Sequence, residues 1–408
     1  MKYLILIPDG AADWPVPALG GKTPLETAAL PNLDRLAREG EFGRVLTVPE
    51  GMEPGSDVAG MSLFGNDPAR VYTGRAPLEA ASMGVPLGDT DVALRCNLVS
   101  TGGAAAEDPE AVMVDYSAGH ITTEEGRRIV EDFRGSDVYR ERFLPDFELF
   151  PGVGYRHLLV WRGGSTEAKL VPPHDILGQV LRAHLPHGAA APKLLGLMAL
   201  AHPWLQLHPV NRDRRRRGLG AADNFWFWGA GRRPALRFFH ERFGLSGAVI
   251  SAVDLVNGIG VLLGLERVAV PGATGYVETN YRGKADHALA ALARHDVVFV
   301  HIEAPDEAGH SGDAAQKVRA LERIDAEFLG PALAGLAKLG AHRVLVAPDH
   351  YTPIVRRSHV GEAVPYLIWP GPQGRSSGAT GFTEAEAAKT GVYVEHGHEL
   401  LARLFATG

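Results

Sequence analysis

The chain has 408 residues, more than a single hydrophobic core usually serves, so two domains are expected. Its 45% hydrophobic and 22% charged residues are those of an ordinary globular protein, and a formal net charge of -7 excludes a general nucleic-acid binder. The one cysteine, Cys96, excludes an intrachain disulfide and a thiolate zinc cluster and fits a reducing cytoplasm.

Met1-Lys2-Tyr3 and the apolar run after it are too short for a signal sequence. Residues 248–265 are apolar, but Asp254, Asn257 and three glycines interrupt them, so no membrane span is expected. Residues 3–7 read as a buried strand closed by Pro8-Asp9-Gly10, which sets Asp9 at a strand's carboxyl end. Residues 31–39 read as an amphipathic helix with Leu33, Leu36 and Ala37 on one face, Asn32 as N-cap and Gly40 as C′ residue. Pro54-Gly55 makes a turn, and Val58 and Met61 stand three apart as on a helix face. Ser56 therefore falls at a helix N-terminus. There it serves as a cap, or its alkoxide or a phosphate meets the unpaired N–H groups.

Residues 76–240 have shorter apolar runs and more glycine, proline and arginine, and read as an inserted, smaller α+β domain carrying cationic groups. The arginines through Arg217 are a solvated surface or a source of substrate clamps. The remainder, 241–408, returns with 1–75 to α/β texture. Residues 248–263 read as a helix ending in a glycine-broken turn, and 268–270 as a short strand. A loop over 275–280 leads to a helix from Lys284 onward. Residues 297–303 form a strongly apolar strand leading into Asp306 and His310, and a helix around 314–329 follows. Residues 343–347 lack polar alternation after Arg343, as a strand buried on both faces does, and end in Pro348-Asp349-His350. A last strand, 364–369, is entered just after His359.

Ligands of open α/β sheets gather at the carboxyl ends of strands. Asp9, Asp306, His310, Asp349 and His350 stand at or beside such ends, with His359 before a strand. Three aspartates and three histidines are too many for one tetrahedral site and suit two divalent ions; mixed carboxylate and imidazole donors fit manganese, zinc or magnesium. Two ions carry +4 against -3 from the aspartates, and a serine alkoxide or phosphate oxygen would balance the remainder. Paired metals polarise phosphoryl groups and activate an oxygen nucleophile, for which Ser56 is the best-placed hydroxyl.

Asp9, Gly55-Ser56-Asp57-Val58-Ala59, Asp306-Glu307-Ala308-Gly309-His310, Pro348-Asp349-His350 and His359 with Val364-Pro365 resemble the metal-dependent alkaline phosphatase superfamily. More narrowly, they are similar to the archaeal-type cofactor-independent phosphoglycerate mutases. The match extends through Asp115-Tyr116-Ser117-Ala118-Gly119-His120 and through residues 272–284. The resemblance implies an alkaline-phosphatase-like three-layer α/β domain with a mostly parallel sheet, interrupted by the insert as a transferase domain. It implies that Ser56 is phosphorylated and ligates one metal with Asp9, Asp349 and His350, and that Asp306, His310 and His359 hold the second.

The implied reaction converts 3-phosphoglycerate to 2-phosphoglycerate with two divalent ions (Mn, Mg, Zn or Co) and no 2,3-bisphosphoglycerate. The implied partner is a small phosphorylated substrate, with homo-oligomerisation left open. Candidate substrate contacts are Arg95, Asn97, Arg156, His174, Asp175, Asn211 and Arg212, with Lys284 outside the insert. His120 reads as a proton shuttle or a helix-capping histidine. The stretch from Thr352 to His359 lacks the acidic linker that the resemblance leads one to expect. A phosphomonoesterase, a phosphonate-cleaving enzyme or a homoserine-kinase-like phosphotransferase on the same core is the alternative. A non-catalytic metal-binding protein is a third reading.

Overall fold

Apolar runs without alternation become the middle of a sheet, because parallel strands are covered on both faces. In the computed structural model, which describes residues 1–371 and 376–406, the strands in chain order are Lys2–Pro8 (β1), Glu41–Val45 (β2), Val92–Val99 (β3), Phe147–Val153 (β4), Arg156–Trp161 (β5), Asn224–Gly231 (β6), Gly247–Ile250 (β7), Glu266–Arg267 (β8), Val297–Ile302 (β9), His342–Val346 (β10), Val364–Trp369 (β11) and Tyr393–Val394 (β12). The chain divides into two units, Met1–Tyr72 with Ala235–Gly408, and Thr73–Pro234.

The first unit holds an eight-stranded sheet in the order β12-β2-β11-β10-β1-β9-β7-β8. Only β11 runs antiparallel to its neighbours. Successive side chains leave a strand on opposite faces. Leu4, Leu6, Val298, Val300, Val344 and Val346 share one core with Leu33 and Leu36 of helix Pro31–Glu39, Ala285 and Ala288 of Tyr281–Leu292, and Leu336 of Gly330–Leu339. On the other face Phe299 stacks on Phe64 at 4.1 Å and Tyr3 meets Phe405 edge-on at 4.8 Å. The result is the three-layer α/β domain with a mostly parallel sheet that the sequence led one to expect.

Local readings needed correction where short runs were ambiguous. Residues 247–250 are a strand paired with β9, and the helix after it begins only at Asp254; four apolar residues show no distinguishing period. The next strand is Glu266–Arg267 rather than 268–270. Helix Pro31–Glu39 starts with proline at its first turn after Leu30, while Asn32 bonds Asp325 at 2.9 Å instead of capping. Gly40 is extended, not left-handed. The helix at Ala314–Arg323 continues through a π-helical stretch, Ile324–Leu329, into Gly330–Leu339.

The second unit is α+β. Its sheet, in the order β4-β5-β3-β6, is antiparallel throughout. Phe133 of helix Thr123–Arg134 anchors its core, edge-on to Trp204 at 5.0 Å, Phe143 at 5.1 Å and Phe225 at 5.2 Å. Among the described residues no helix is long and apolar enough to cross a membrane.

Candidate metal centre

Strands β10, β1 and β9 are adjacent and parallel, so their carboxyl ends open on one edge. Asp9 follows β1, Glu303 and Asp306 follow β9, and Asp349 and His350 follow β10. Ser56 is the first residue of helix Ser56–Leu63. The N-cap is Gly55 and no side chain caps the helix, so the capping reading of Ser56 does not hold. Its hydroxyl instead lies 3.4 Å from Asp9 Oδ2 and 3.3 Å from His350 Nε2.

In one half of the cluster His350 Nε2 is 3.3 Å from Asp349 Oδ2 and 3.6 Å from Asp9 Oδ1. Asp9, Asp349 and His350 each offer a ligand atom within 4.8 Å of the others. Asp9 Oδ1 and Asp349 Oδ2 are buried without a hydrogen-bond partner. In the other half Asp306 lies 3.2 Å from His310 Nε2 and 3.4 Å from His359 Nε2. The two imidazole Nε2 atoms face each other at 2.9 Å. Their Nδ1 atoms face the carbonyls of Arg357 at 3.0 Å and Pro54 at 3.3 Å. A carbonyl only accepts, so both Nδ1 atoms carry hydrogen. Two neutral rings would then aim lone pairs at one point beside a carboxylate.

A proton on each Nε2 of His310 and His359, which a bound cation would displace, otherwise donates to Asp306. Burial, then the charges of Asp349 and Asp306, push the Asp9 carboxyl well above its usual range. Burial, then Asp306 and Glu307, push Glu303 up to about 8. Burial also acts against ionised Asp306, but hydrogen bonds from His310 and His359 outweigh it and hold that carboxyl well below the usual range. His310 rises to about 9, chiefly through its bond to Asp306. Orphaned carboxylate oxygens and converging imidazole lone pairs fit divalent cations, with donors suited to manganese, magnesium, zinc or cobalt.

Several residues escaped the sequence reading. Glu303 offers a third grouping of ligand atoms with Asp9 and Asp306; its place directly after β9 was the signal. His301 sits within β9, its Nε2 3.1 Å from Asp9 Oδ2 and its Nδ1 3.2 Å from Ser251 Oγ, and burial pushes it down to about 4. No pattern marks a histidine inside a strand. Thr47 donates to the Asp349 carbonyl at 2.5 Å. Lys284, by contrast, was among the candidate substrate contacts; it is fully buried and donates to the His301 carbonyl at 3.0 Å, and burial pushes it down to about 8 against the charge of Glu303.

In the second unit five candidate residues share one aromatic-lined cluster. Arg95 pairs with Glu79 at 2.8 Å, lies 4.1 Å over the Trp228 ring, and keeps a buried Nε without a partner. Burial, then the charges of Arg75 and Arg156, lower its pKa against the pull of Glu79. Trp228 Nε1 donates to Asn97 Oδ1 at 3.0 Å, and Asn97 donates to the Tyr116 carbonyl at 3.3 Å. His174 meets Trp228 and Tyr116 edge-on at 5.2 and 6.1 Å, with Asp175 3.6 Å from its Nε2. Arg156 lies 5.6 Å over Tyr155, which meets Tyr116 at 5.8 Å.

Asn211 and Arg212 stand apart. The Asn211 side chain is buried and engaged by Leu205 and Ala222, and Arg212 is exposed on helix Pro209–Arg216. His120 has a left-handed φ of 49° and does not cap the next helix, which Thr122 caps.

Fold and cluster define an α/β protein with a candidate cation centre at strand carboxyl ends, beside the serine that opens a helix. Residues 37–211 match the family described as 2,3-bisphosphoglycerate-independent phosphoglycerate mutase. The chain is 49% identical over 401 residues to the probable mutase of that description from Geobacter sulfurreducens, covering 98% of each chain. It is 48% identical over 407 residues to the one from Methanothrix thermoacetophila, covering 100% of both. Among solved structures it resembles a protein from Pyrococcus horikoshii, with a TM-score of 0.82 and 29% identity over 100% of this chain and 98% of that one. The cofactor-independent phosphoglycerate mutase of Thermoplasma acidophilum gives 0.66 and 25% over 100% of both chains. The chain belongs to the family of 2,3-bisphosphoglycerate-independent phosphoglycerate mutases.

Proposed function

We propose that the protein interconverts 3-phosphoglycerate and 2-phosphoglycerate through a phosphoserine at Ser56, in the cytoplasm and without a 2,3-bisphosphoglycerate primer. Asp9, Ser56, Asp349 and His350 would hold one divalent cation and Asp306, His310 and His359 a second. When bound, such a pair neutralises phosphoryl charge and favours an ionised oxygen nucleophile. The observation that carries the reading is the Ser56 hydroxyl, free of any capping bond and set between Asp9 and His350.

Ser56 Oγ bonds to phosphorus as the bond from phosphorus to the 3-oxygen breaks. The glycerate turns, and its 2-oxygen takes the phosphoryl group back, freeing Ser56. The N-terminal N–H groups of helix Ser56–Leu63 favour the phosphoryl charge throughout. While phosphoserine stands, the glycerate must be retained and water excluded, or the outcome is hydrolysis. Arg95 and Arg156, with Asn97, His174 and Asp175, are proposed to bind its carboxylate and hydroxyls, since guanidinium suits a bidentate carboxylate. Lys284 is fully buried and spent on the His301 carbonyl, so no direct substrate contact is proposed for it.

Brief incubation with 3-phosphoglycerate followed by mass spectrometry should place phosphate on Ser56. Ser56→Ala should carry none and lose turnover by on the order of 10⁴-fold or more in an enolase-coupled assay. Release of inorganic phosphate without 2-phosphoglycerate would move the protein to the phosphomonoesterase reading.

A further inference from the structure

We infer that Thr352 is a positioning residue shared by both halves of the metal centre, its one hydroxyl fixing a ligand in each. This rests on the two-cation reading above. Thr352 Oγ1 donates to Asp306 Oδ1 at 2.5 Å and lies 3.2 Å from His350 Nδ1. A hydroxyl has one hydrogen and a carboxylate can only accept, so that hydrogen goes to Asp306. His350 Nδ1 must then be the donor to Thr352 Oγ1, which leaves Nε2 unprotonated and turned toward Asp9, Asp349 and Ser56. One chain of two hydrogen bonds thereby sets the tautomer and ring plane of a ligand in the first half and the carboxylate plane of a ligand in the second. Partners of this kind orient metal ligands, and their loss typically weakens metal binding 10–100-fold.

Packing points to the same residue. A Cβ on Gly10, which follows Asp9 at a φ of 60°, would lie 2.6 Å from Thr352 Oγ1. A Cβ on Gly309, in the helix that carries Asp306 and His310, would lie 2.7 Å from Thr352 Cγ2. The segments bearing Asp9, Asp306 and His350 thus all close on Thr352, and two of them need glycine to reach it. Its backbone is pinned from below: the fully buried Lys317 donates to the Thr352 carbonyl at 2.8 Å and to Asp13 at 2.7 Å. Asp13 in turn accepts from the Ile354 N–H at 3.1 Å.

The experiment is calorimetric titration of cation-free full-length protein with Mn²⁺, with bound metal counted by elemental analysis. Thr352→Val should weaken both ions by about 10–100-fold, whereas Thr352→Ser, which keeps the hydroxyl, should restore wild-type affinity. Thr352→Ala carries the same expectation as valine and replaces it if the valine protein does not fold by circular dichroism. A hydroxyl-free variant in which only one ion, or neither, is weakened overturns the proposal, as does a serine variant as weak as valine. Wild-type protein that binds fewer than two equivalents of Mn²⁺ overturns the two-cation reading instead.

Discussion

In the second unit, buried Arg214 donates to Glu125 at 2.5 Å and to the carbonyls of Ala118, Gly119 and Gly220, and buried Asp223 accepts from Arg215, Thr101 and Gly103. In the first unit, Asp9 and Asp349 each keep a buried oxygen that nothing satisfies. Leaving a charge in low dielectric without a partner is among the most destabilising things a fold can do. A closed network therefore reads as architecture, and an open one as a place for something the chain does not itself supply. Arg95 obeys the same rule inside the second unit: its orphaned Nε sits beside the Trp228 ring, in the cluster proposed to bind the glycerate carboxylate.

The largest expected effect follows from supplying the missing partner. Stripping cations with a chelator should abolish turnover, and manganese, cobalt, magnesium or zinc should restore it to differing degrees. At about 100 times its dissociation constant, each bound ion should stabilise the folded protein by about 2.7 kcal/mol. Hydrogen exchange should slow around Asp9, Asp306 and His350 and stay unchanged around Ala118, Asn211 and Asp223. Equal slowing in both sets would erase the contrast between open and closed networks.

Single substitutions sharpen it in the cation-free protein. Arg214→Met should cost about 3–5 kcal/mol in urea unfolding, because it strands buried partners. Asp9→Asn should be neutral or stabilising. Burial and neighbouring carboxylates raise the folded pKa of Asp9, so stability present at low pH is lost as pH rises and the acid ionises. The amide removes that penalty. A loss at Asp9→Asn matching that at Arg214→Met would make Asp9 a structural residue.

What the sequence disclosed follows the same physics. Strands β1, β9, β10 and β11 were legible because burial on both faces leaves unbroken apolar runs. A polar residue directly after such a run can only sit at the sheet's edge, which is how Asp9 and Asp349 stood out. Thr352 and His301 were not legible, since their roles rest on contacts with Asp306 and Asp9, which stand far from them in the sequence. Asn211 stood among the candidate substrate contacts. Only coordinates show it engaged by Leu205 and Ala222. β7 was hidden by its length: four buried residues pattern alike in helix and strand.

The smallest expected effect concerns two histidines, one in each unit, that are shifted in opposite directions. His310 of the first is raised to about 9 by its bond to Asp306. His157 of the second is wholly buried, accepts from the Gly152 N–H at 3.0 Å, and is pushed down to about 3 by burial, with Arg127 adding to it. An unfolded histidine titrates near 6.5. Between those values the unfolded chain binds the proton and the folded one does not, so stability is full above about 6.5 and drains as pH falls toward 3. His157→Gln keeps an acceptor for Gly152 and removes the titration. It should leave stability at neutral pH nearly unchanged and move the acid limb of the second unit's unfolding, followed by tryptophan fluorescence, to lower pH. An acid limb that does not move would mean that His157 takes up its proton without unfolding, and that the second unit tolerates an open charge as the first does.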